Sequence, residues 1–306
     1  QELKDRITSV IVGQEQTVDL VLTAILANGH VLIEGVPGVA KTLLARLTAR
    51  LIDADFSRVQ FTPDLMPSDV LGTTVFNMKT NGFDFHQGPI FADIVLVDEI
   101  NRAPAKTQAA LFEVMEERQI SIDGTTHRMG DLYTILATQN PVEQEGTYKL
   151  PEAQLDRFLM KITMDYPSLE EEVNILERHH TNAALVKLDD IVPAITKEEL
   201  LSLRAFMNQV FVDRTLLQYI ALIVQQTRTS KAVYLGASPR ASVAMLQSSK
   251  AYALLQGRDF VTPEDIKFVA PYVLQHRLIL TAEAEMEGYS PVKVTQRLID
   301  KVEVPK

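Results

Sequence analysis

The chain has 306 residues, of which 46% are hydrophobic and 23% charged, so it can form one large globular domain or two smaller ones. Its formal net charge of −10 makes nucleic acid an unexpected partner, and the absence of cysteine excludes disulfides, thiolate metal ligands and thiol catalysis. No apolar stretch reaches the roughly 18 residues of a membrane span, and no signal peptide is recognisable, so we expect a cytoplasmic protein without membrane insertion.

The first half of the chain has the pattern of an α/β domain with a parallel sheet. Its predicted strands are continuous apolar runs, which are typical of strands covered on both faces. Strands are predicted at residues 31–33, 58–61, 94–97, 133–137 and 158–164, and helices at 3–10, 18–26, 41–52, 107–118 and 151–157. Two hairpins interrupt this alternation, at about 73–86 around Asn81-Gly82 and at about 119–129 around Asp123-Gly124.

From Ser168 onward the sequence predicts helices and no further strand. The helical patterns cover residues 171–180, 197–209, 213–227, 239–256 and 262–278, and one more helix opens at Ser290-Pro291. The composition changes between Pro167 and Pro193. We therefore expect an α/β core at residues 1–180 with two inserted hairpins, followed by a small all-helical domain at residues 181–306.

The stretch between the first strand and its helix matches the phosphate-binding loop pattern G-x-x-x-x-G-K-[ST]. Lys41 is expected to reach the β- and γ-phosphates of a nucleoside triphosphate, and the Thr42 hydroxyl to bind Mg²⁺. The predicted binding residues are Gly35, Val36, Pro37, Gly38, Val39, Ala40, Lys41, Thr42 and Leu43. Ala40 stands where the second glycine is expected, so we expect a negative φ there, with Gly38 supplying the flexibility. The alternative is an ordinary strand-to-helix turn with a surface lysine.

Polar side chains follow two of the other predicted strands. Asp98 and Glu99 end a buried apolar run, and ligands of open α/β sheets bind at the carboxyl ends of the strands. Asp98 is therefore the candidate Mg²⁺ ligand and Glu99 the candidate general base for a water. Asn140, after the next strand, can contact the γ-phosphate or that water, and a turn-forming Asn before Pro141 is an equally good explanation. For Asp98 and Glu99, the alternative interpretation is a solvated turn at the end of the strand.

Two arginines are further candidates. Arg157 lies at a predicted helix end, where it is either a surface residue paired with an acid or an arginine finger for a neighbouring subunit. Arg240 opens a helix of the second domain, and a cation there opposes the helix dipole, so an outside anion is one explanation for it. The other explanation is that Arg240 is a solvated residue in the first turn of that helix.

Taken together, these motifs resemble those of AAA+ ATPases of the MoxR family over nearly the full chain. The supporting stretches are Ile11-Val12-Gly13-Gln14, Gly35–Thr42, Gln87–Phe91, Leu96–Ala103, Leu136–Pro141, Leu155–Phe158 and Gly236–Arg240. The resemblance implies a phosphate-loop core with a parallel sheet between helices and a helical lid. It also implies that Val12 and Gly13 lie at the adenine pocket, and that Asn140, Arg157 and Arg240 act as sensor 1, arginine finger and sensor 2. Alanine at position 40 is usual in this family.

The resemblance further implies a Mg²⁺-dependent ATPase that forms a ring of six subunits, with the two hairpins facing the central pore. Its expected task is chaperone-like remodelling, or metal or cofactor loading, of a client complex, with a partner that carries a von Willebrand factor A domain. Two alternatives stay open at this point. One is a nucleic-acid-dependent motor, against which the net charge of −10 argues. The other is a nucleotide-gated scaffold with little turnover.

Overall fold

The computed structural model describes residues 2–36, 38–140, 147–181 and 188–305. Its strands are β1 (Val31–Gly35), β2 (Phe56–Gln60), β3 (Gly72–Asn77), β4 (Gly82–Gln87), β5 (Ile94–Asp98), β6 (Gln119–Ile122), β7 (Thr125–Arg128), β8 (Thr134–Gln139), β9 (Met160–Met164), β10 (Val233–Leu235) and β11 (Ile279–Leu280). Its helices are α1 (Glu2–Val10), α2 (Glu15–Leu26), α3 (Lys41–Leu51), α4 (Pro67–Leu71), α5 (Ala105–Glu117), α6 (Glu152–Leu155), α7 (Leu169–His180), α8 (Lys197–Met207), α9 (Arg214–Thr229), α10 (Pro239–Leu255), α11 (Pro263–Leu274), α12 (Ala282–Met286) and α13 (Pro291–Lys301).

A five-stranded parallel sheet in the order β2-β5-β8-β1-β9 forms the centre of the first half. Successive side chains of each strand point to opposite faces, and both faces are covered. In β1, Val31 and Ile33 join the apolar cluster that contains α2 and α3, whereas Leu32 joins the cluster that contains α5. This double burial explains why the strands are uninterrupted apolar runs in the sequence.

Both predicted hairpins are present outside the central sheet. β3 pairs with β4 and β6 with β7, each antiparallel. The β3–β4 hairpin exposes apolar side chains near its turn: Met78 is 89% exposed and Phe83 is 74% exposed. Phe76 packs edge-on against Phe83 across the two strands, with their ring centroids 5.3 Å apart. The hairpin therefore presents an apolar tip to solvent.

The second half is helical, as predicted, and confirms the fold class. The expectation of no strand after Ser168 is wrong in one place, because β10 and β11 form a short antiparallel ladder. Elements of two or three residues are too short for a period of two to be recognised in the sequence.

The helical half packs against the core through one continuous apolar cluster that runs from α1 and α2 to α8–α11 and α13. Arg204 of α8 strengthens this contact, since its Nε and Nη2 donate to the carbonyl of Ile25 at 2.9 and 2.6 Å. The boundary at residue 181 stays a prediction. Within the part of the chain that the structure describes, no helix is long and apolar enough to cross a membrane.

Candidate functional site

The predicted phosphate loop, acid pair and Asn140 lie along one edge of the sheet. β1, β5 and β8 are neighbours and parallel, with Glu34 opposite Gln139 and Val97 opposite Ala137. The residues that follow these strands therefore meet at their shared carboxyl edge, where ligands of open α/β sheets bind.

The phosphate loop turns through two left-handed residues before α3 begins. Gly38 has φ 88°, as its expected role requires, and Ala40 has φ 61°. The expectation of a negative φ at Ala40 is therefore wrong. The Ala40 carbonyl accepts the first helical bond, from the Leu44 N–H at 2.9 Å, so the loop must complete its turn at this residue to start α3. Pro37 lies outside the described residues.

Lys41 extends from the first turn of α3 back across the loop. Its Nζ donates to the carbonyl of Gly35 at 2.7 Å. Partial burial lowers the pKa of Lys41, and the negative charges of Asp98 and Glu99 act against that shift. The lysine therefore lies within electrostatic reach of the acid pair that the sequence predicts.

Asp98 is buried and both of its carboxylate oxygens accept hydrogen bonds. Oδ1 accepts from the Thr138 hydroxyl at 3.0 Å, and Oδ2 from Arg58 Nε at 2.6 Å. The Thr138 hydroxyl in turn accepts a hydrogen bond from the backbone N–H of Glu99 at 3.1 Å. Thr138 thus joins the two acids, although it lies on a different strand. No local sequence pattern indicates the role of Thr138 or of Arg58.

Glu99 leaves the strand in a left-handed conformation, with φ 56° and ψ 50°. Its carboxylate is 2.9 Å from Nε of Arg102, in the short turn that follows. For a non-glycine residue this conformation is strained, and such strain clusters at functional sites. The hydrogen bond from the Glu99 N–H to the Thr138 hydroxyl is one contact that stabilises this conformation.

The donor set fits Mg²⁺ held jointly with a nucleotide. Thr42 and Asp98 supply hydroxyl and carboxylate oxygens, and Mg²⁺ is usually bound by one or two protein ligands together with waters and phosphates. Among the described residues, no cluster of three or more His, Asp or Glu side chains forms a metal site by itself. A Mg²⁺ ion at this edge would depend on phosphate oxygens for its remaining ligands.

A cavity of about 280 Å³ adjoins the phosphate loop. It is lined by Ser9, Val10, Ile11, Val12, Gln14, Gly38, Val39, Ala40, Leu43, Pro167, Ile175, Arg178 and His179. Val12 lines this cavity, and its place at an adenine pocket stays a prediction. Residues of α7 supply one wall of the cavity, which no motif in the sequence indicates. Gly13 packs against α7, where an added Cβ would fall 2.4 Å from the Glu171 carboxyl.

Asn140 is buried just beyond the end of β8, at the same edge as Asp98. Pro141, on which the alternative of a local turn depends, lies outside the described residues. The position of Asn140 is therefore compatible with contact to a bound phosphate, and its role stays a prediction.

Arg157 lies at the opposite edge of the sheet. The Leu159 N–H, two residues later, donates to the carbonyl of His30, immediately before β1, whereas the phosphate loop begins at the other end of that strand. Five strand residues span about 17 Å. Arg157 donates to the Phe112 carbonyl near the end of α5 and lies 3.6 Å from Glu116, so its side chain is held away from its own phosphate loop.

Arg240 is found beside Arg157. Its Nη2 donates to Glu116 Oε1 at 2.8 Å. The outside anion expected for Arg240 is, in this structure, a carboxylate of the core domain. The sequence holds a signal for Glu116, because an acid in the last turn of a helix opposes the helix dipole.

The fold and this edge define a nucleotide-binding ATPase domain with a lid. A family model described as the ATPase family associated with various cellular activities (AAA) matches residues 30–160. A second one, described as the AAA lid domain, matches residues 225–300. The crystal structure of a protein from Cytophaga hutchinsonii superimposes with a TM-score of 0.91 at 41% identity, covering 100% of this chain and 94% of that one.

Relatives of known sequence narrow the class further. "Chaperone MoxR1" of Mycobacterium tuberculosis is 44% identical over 97% of this chain and 80% of its own length. "Uncharacterized protein YeaC" of Bacillus subtilis is 47% identical over 98% of this chain and 93% of its own. "Protein MoxR" of Methylorubrum extorquens is 30% identical over 92% of this chain and 87% of its own length. The chain belongs to the MoxR family of AAA+ ATPases, and these comparisons favour neither the nucleic-acid motor nor the scaffold.

Proposed function

We propose that the protein hydrolyses ATP at the boundary between copies of itself arranged in a ring. The observation that carries the proposal is the position of Arg157 and Arg240 at the sheet edge opposite their own phosphate loop. A guanidinium that completes a phosphoryl-transfer site must reach the γ-phosphate. Because these two cannot reach the phosphates of their own subunit, they are suited to a nucleotide held by the next one.

Within one subunit, the loop at residues 35–43 binds the triphosphate and the cavity beside Val12 binds the base. Lys41 exchanges the Gly35 carbonyl for phosphate oxygens. Glu99, next to Asp98 and positioned by Thr138, accepts a proton from the attacking water, and Asn140 aligns that water. Thr42 and Asp98 would hold Mg²⁺, which supplies positive charge to the phosphates when bound.

A mixing experiment tests action across the boundary. Arg157→Ala subunits keep their phosphate loop, and Lys41→Ala subunits keep their arginines, so each variant should be inactive alone. Their equimolar mixture should recover about a quarter of wild-type turnover if neighbours assort at random around a ring. The control replaces Lys41→Ala with a Lys41→Ala/Arg157→Ala double variant, which should give no recovery. Absence of recovery in the first mixture would refute the proposal.

The name "Chaperone MoxR1" supports a chaperone-like role for this chain as well. We propose that hydrolysis remodels a client complex, or loads its metal or cofactor, through the two hairpins facing the pore of a hexameric ring. A partner with a von Willebrand factor A domain and a cytoplasmic location stay predictions of the family resemblance and of the sequence. Capture with Glu99→Gln, which should bind ATP and turn it over slowly, tests this. A protein retained with ATP and released with ADP would support the role, and retention independent of nucleotide would contradict it.

A further inference from the structure

One carboxylate, that of Glu116, contacts both candidate arginines. Its Oε1 accepts from Arg240 Nη2 at 2.8 Å, and its Oε2 lies 3.6 Å from Arg157 Nε. The two arginines come from different halves of the chain, since Arg157 follows α6 of the core and Arg240 opens α10 of the lid. Glu116 is therefore a direct polar link between lid and core at the edge where the arginines lie.

Neither Glu116 nor Arg240 is placed favourably with respect to its own helix. Glu116 lies in the last turn of α5, where carbonyls already concentrate negative charge. Arg240 lies in the first turn of α10, where N–H groups concentrate positive charge. The charge of each residue is therefore unfavourable at its own helix end. The two charges offset each other only because the lid places these helix ends together.

The link also offsets the repulsion between two neighbouring guanidiniums. Without Glu116, Arg157 and Arg240 would repel each other and separate. With it, the cluster keeps a net positive charge. Arg157 is anchored on its other side by the Phe112 carbonyl. The side chain of Arg240 is 58% exposed, so an approaching phosphate can reach it.

We propose that Glu116 is a positioning residue, which holds Arg157 and Arg240 as a preassembled cationic pair for the triphosphate of a neighbouring copy. This inference rests on the proposed function. Exposed ion pairs contribute little to stability, so the phosphate can take over Arg240 without a large penalty. The lid, which carries Arg240, would then move relative to the core when the neighbour binds or releases phosphate.

Glu116→Gln keeps the shape of the side chain and removes its charge. We expect turnover at saturating ATP to fall about tenfold to a hundredfold, as for a misplaced positioning group. Binding of a fluorescent ATP analogue to the variant should stay unchanged, because its own phosphate loop is intact. The matched control is Glu117→Gln, at the next residue of the same helix, where turnover should equal that of the wild type. Wild-type or faster turnover of Glu116→Gln would overturn the proposal.

Mixing separates a positioning role from a folding defect. Glu116→Gln subunits mixed with Lys41→Ala subunits should recover activity, because the latter supply correctly held arginines to the former's nucleotide. A Lys41→Ala/Glu116→Gln partner should give no recovery. If Glu116→Gln is not rescued although Arg157→Ala is, the inference about Glu116 is wrong and the ring mechanism stands. If neither is rescued, the proposed function itself fails.

A double-variant comparison gives a second readout. In an Arg240→Ala background the carboxylate has lost the lid arginine that it holds, so adding Glu116→Gln should cost less than it does in the wild type. Glu116→Asp, which retains the charge on a shorter stem, should lie between Glu116→Gln and the wild type in turnover. Additive losses in the double variant, or equal losses for Asp and Gln, would contradict the positioning role.

Discussion

The stability of the fold should decrease on mild acidification through the buried imidazole of His30. The ring lies at the start of β1, 4% exposed, and is bonded on both sides. Its Nδ1 accepts the Ile135 N–H at 3.0 Å, which assigns the proton to Nε2, 3.2 Å from the Met115 carbonyl. Burial, aided by the charge of Arg118, lowers the pKa of His30 from 6.5 to about 3. The native state therefore requires the neutral ring.

The native and unfolded states protonate His30 at different pH values, and this difference sets the sign of the effect. The unfolded chain protonates this histidine near pH 6.5 and the native state only near pH 3, so acidification between these values favours unfolding. The free energy of unfolding is thus highest above about pH 6.5 and decreases below it. One such group costs about 1.4 kcal/mol between about pH 7.5 and about pH 5.5. His276, which is also buried and has its pKa lowered by burial, adds a loss of the same sign.

Urea unfolding of the nucleotide-free wild type and of His30→Leu at these two pH values measures the effect. The variant should be less stable at both, because the Ile135 N–H and the Met115 carbonyl lose their partner. Between about pH 7.5 and about pH 5.5, the decrease in its free energy of unfolding should nevertheless be about 1.4 kcal/mol smaller than the decrease in the wild type. Equal losses would refute the reasoning. If the variant does not fold, the wild-type His30 imidazole resonance should show no titration over this range by NMR, and a titration shift would refute it equally.

Three further predictions concern the phosphate edge. Lys41→Ala should weaken binding of a fluorescent ATP analogue about tenfold to a hundredfold, the contribution of a hydrogen bond to a charged group, and unchanged affinity would contradict the phosphate assignment. Ala40→Gly should leave thermal stability unchanged or slightly raised, because relief of left-handed strain offsets the greater entropy of the unfolded chain, whereas Ala40→Val should lower both stability and ATP affinity. Thr138→Val should cost about 1–3 kcal/mol in urea unfolding and reduce turnover, because Asp98 and the Glu99 N–H each lose a partner, while Thr138→Ser should retain most of both.

Local order along the chain specifies several elements of this fold and part of its chemistry. Runs of apolar residues specified the central strands, since burial on both faces needs no long-range information to be recognised. Asn81-Gly82 and Asp123-Gly124 specified the hairpins through their turn geometry. The spacing from Gly35 to Thr42 specified the phosphate loop, because backbone and lysine must surround one ligand from a single short segment.

The residues that complete the site from distant parts of the chain are selected by contacts between elements of the fold. Thr138 meets Asp98 because β5 and β8 are neighbours, and their contact joins positions 40 residues apart, which no local pattern encodes. Ala40 adopts a positive φ because the loop must deliver the chain into α3, a demand of the surrounding fold that overrides the preference of alanine. Glu116 meets Arg240 across 124 residues only because the lid lies against the core, and helix-end charges that are unfavourable separately become a matched pair there.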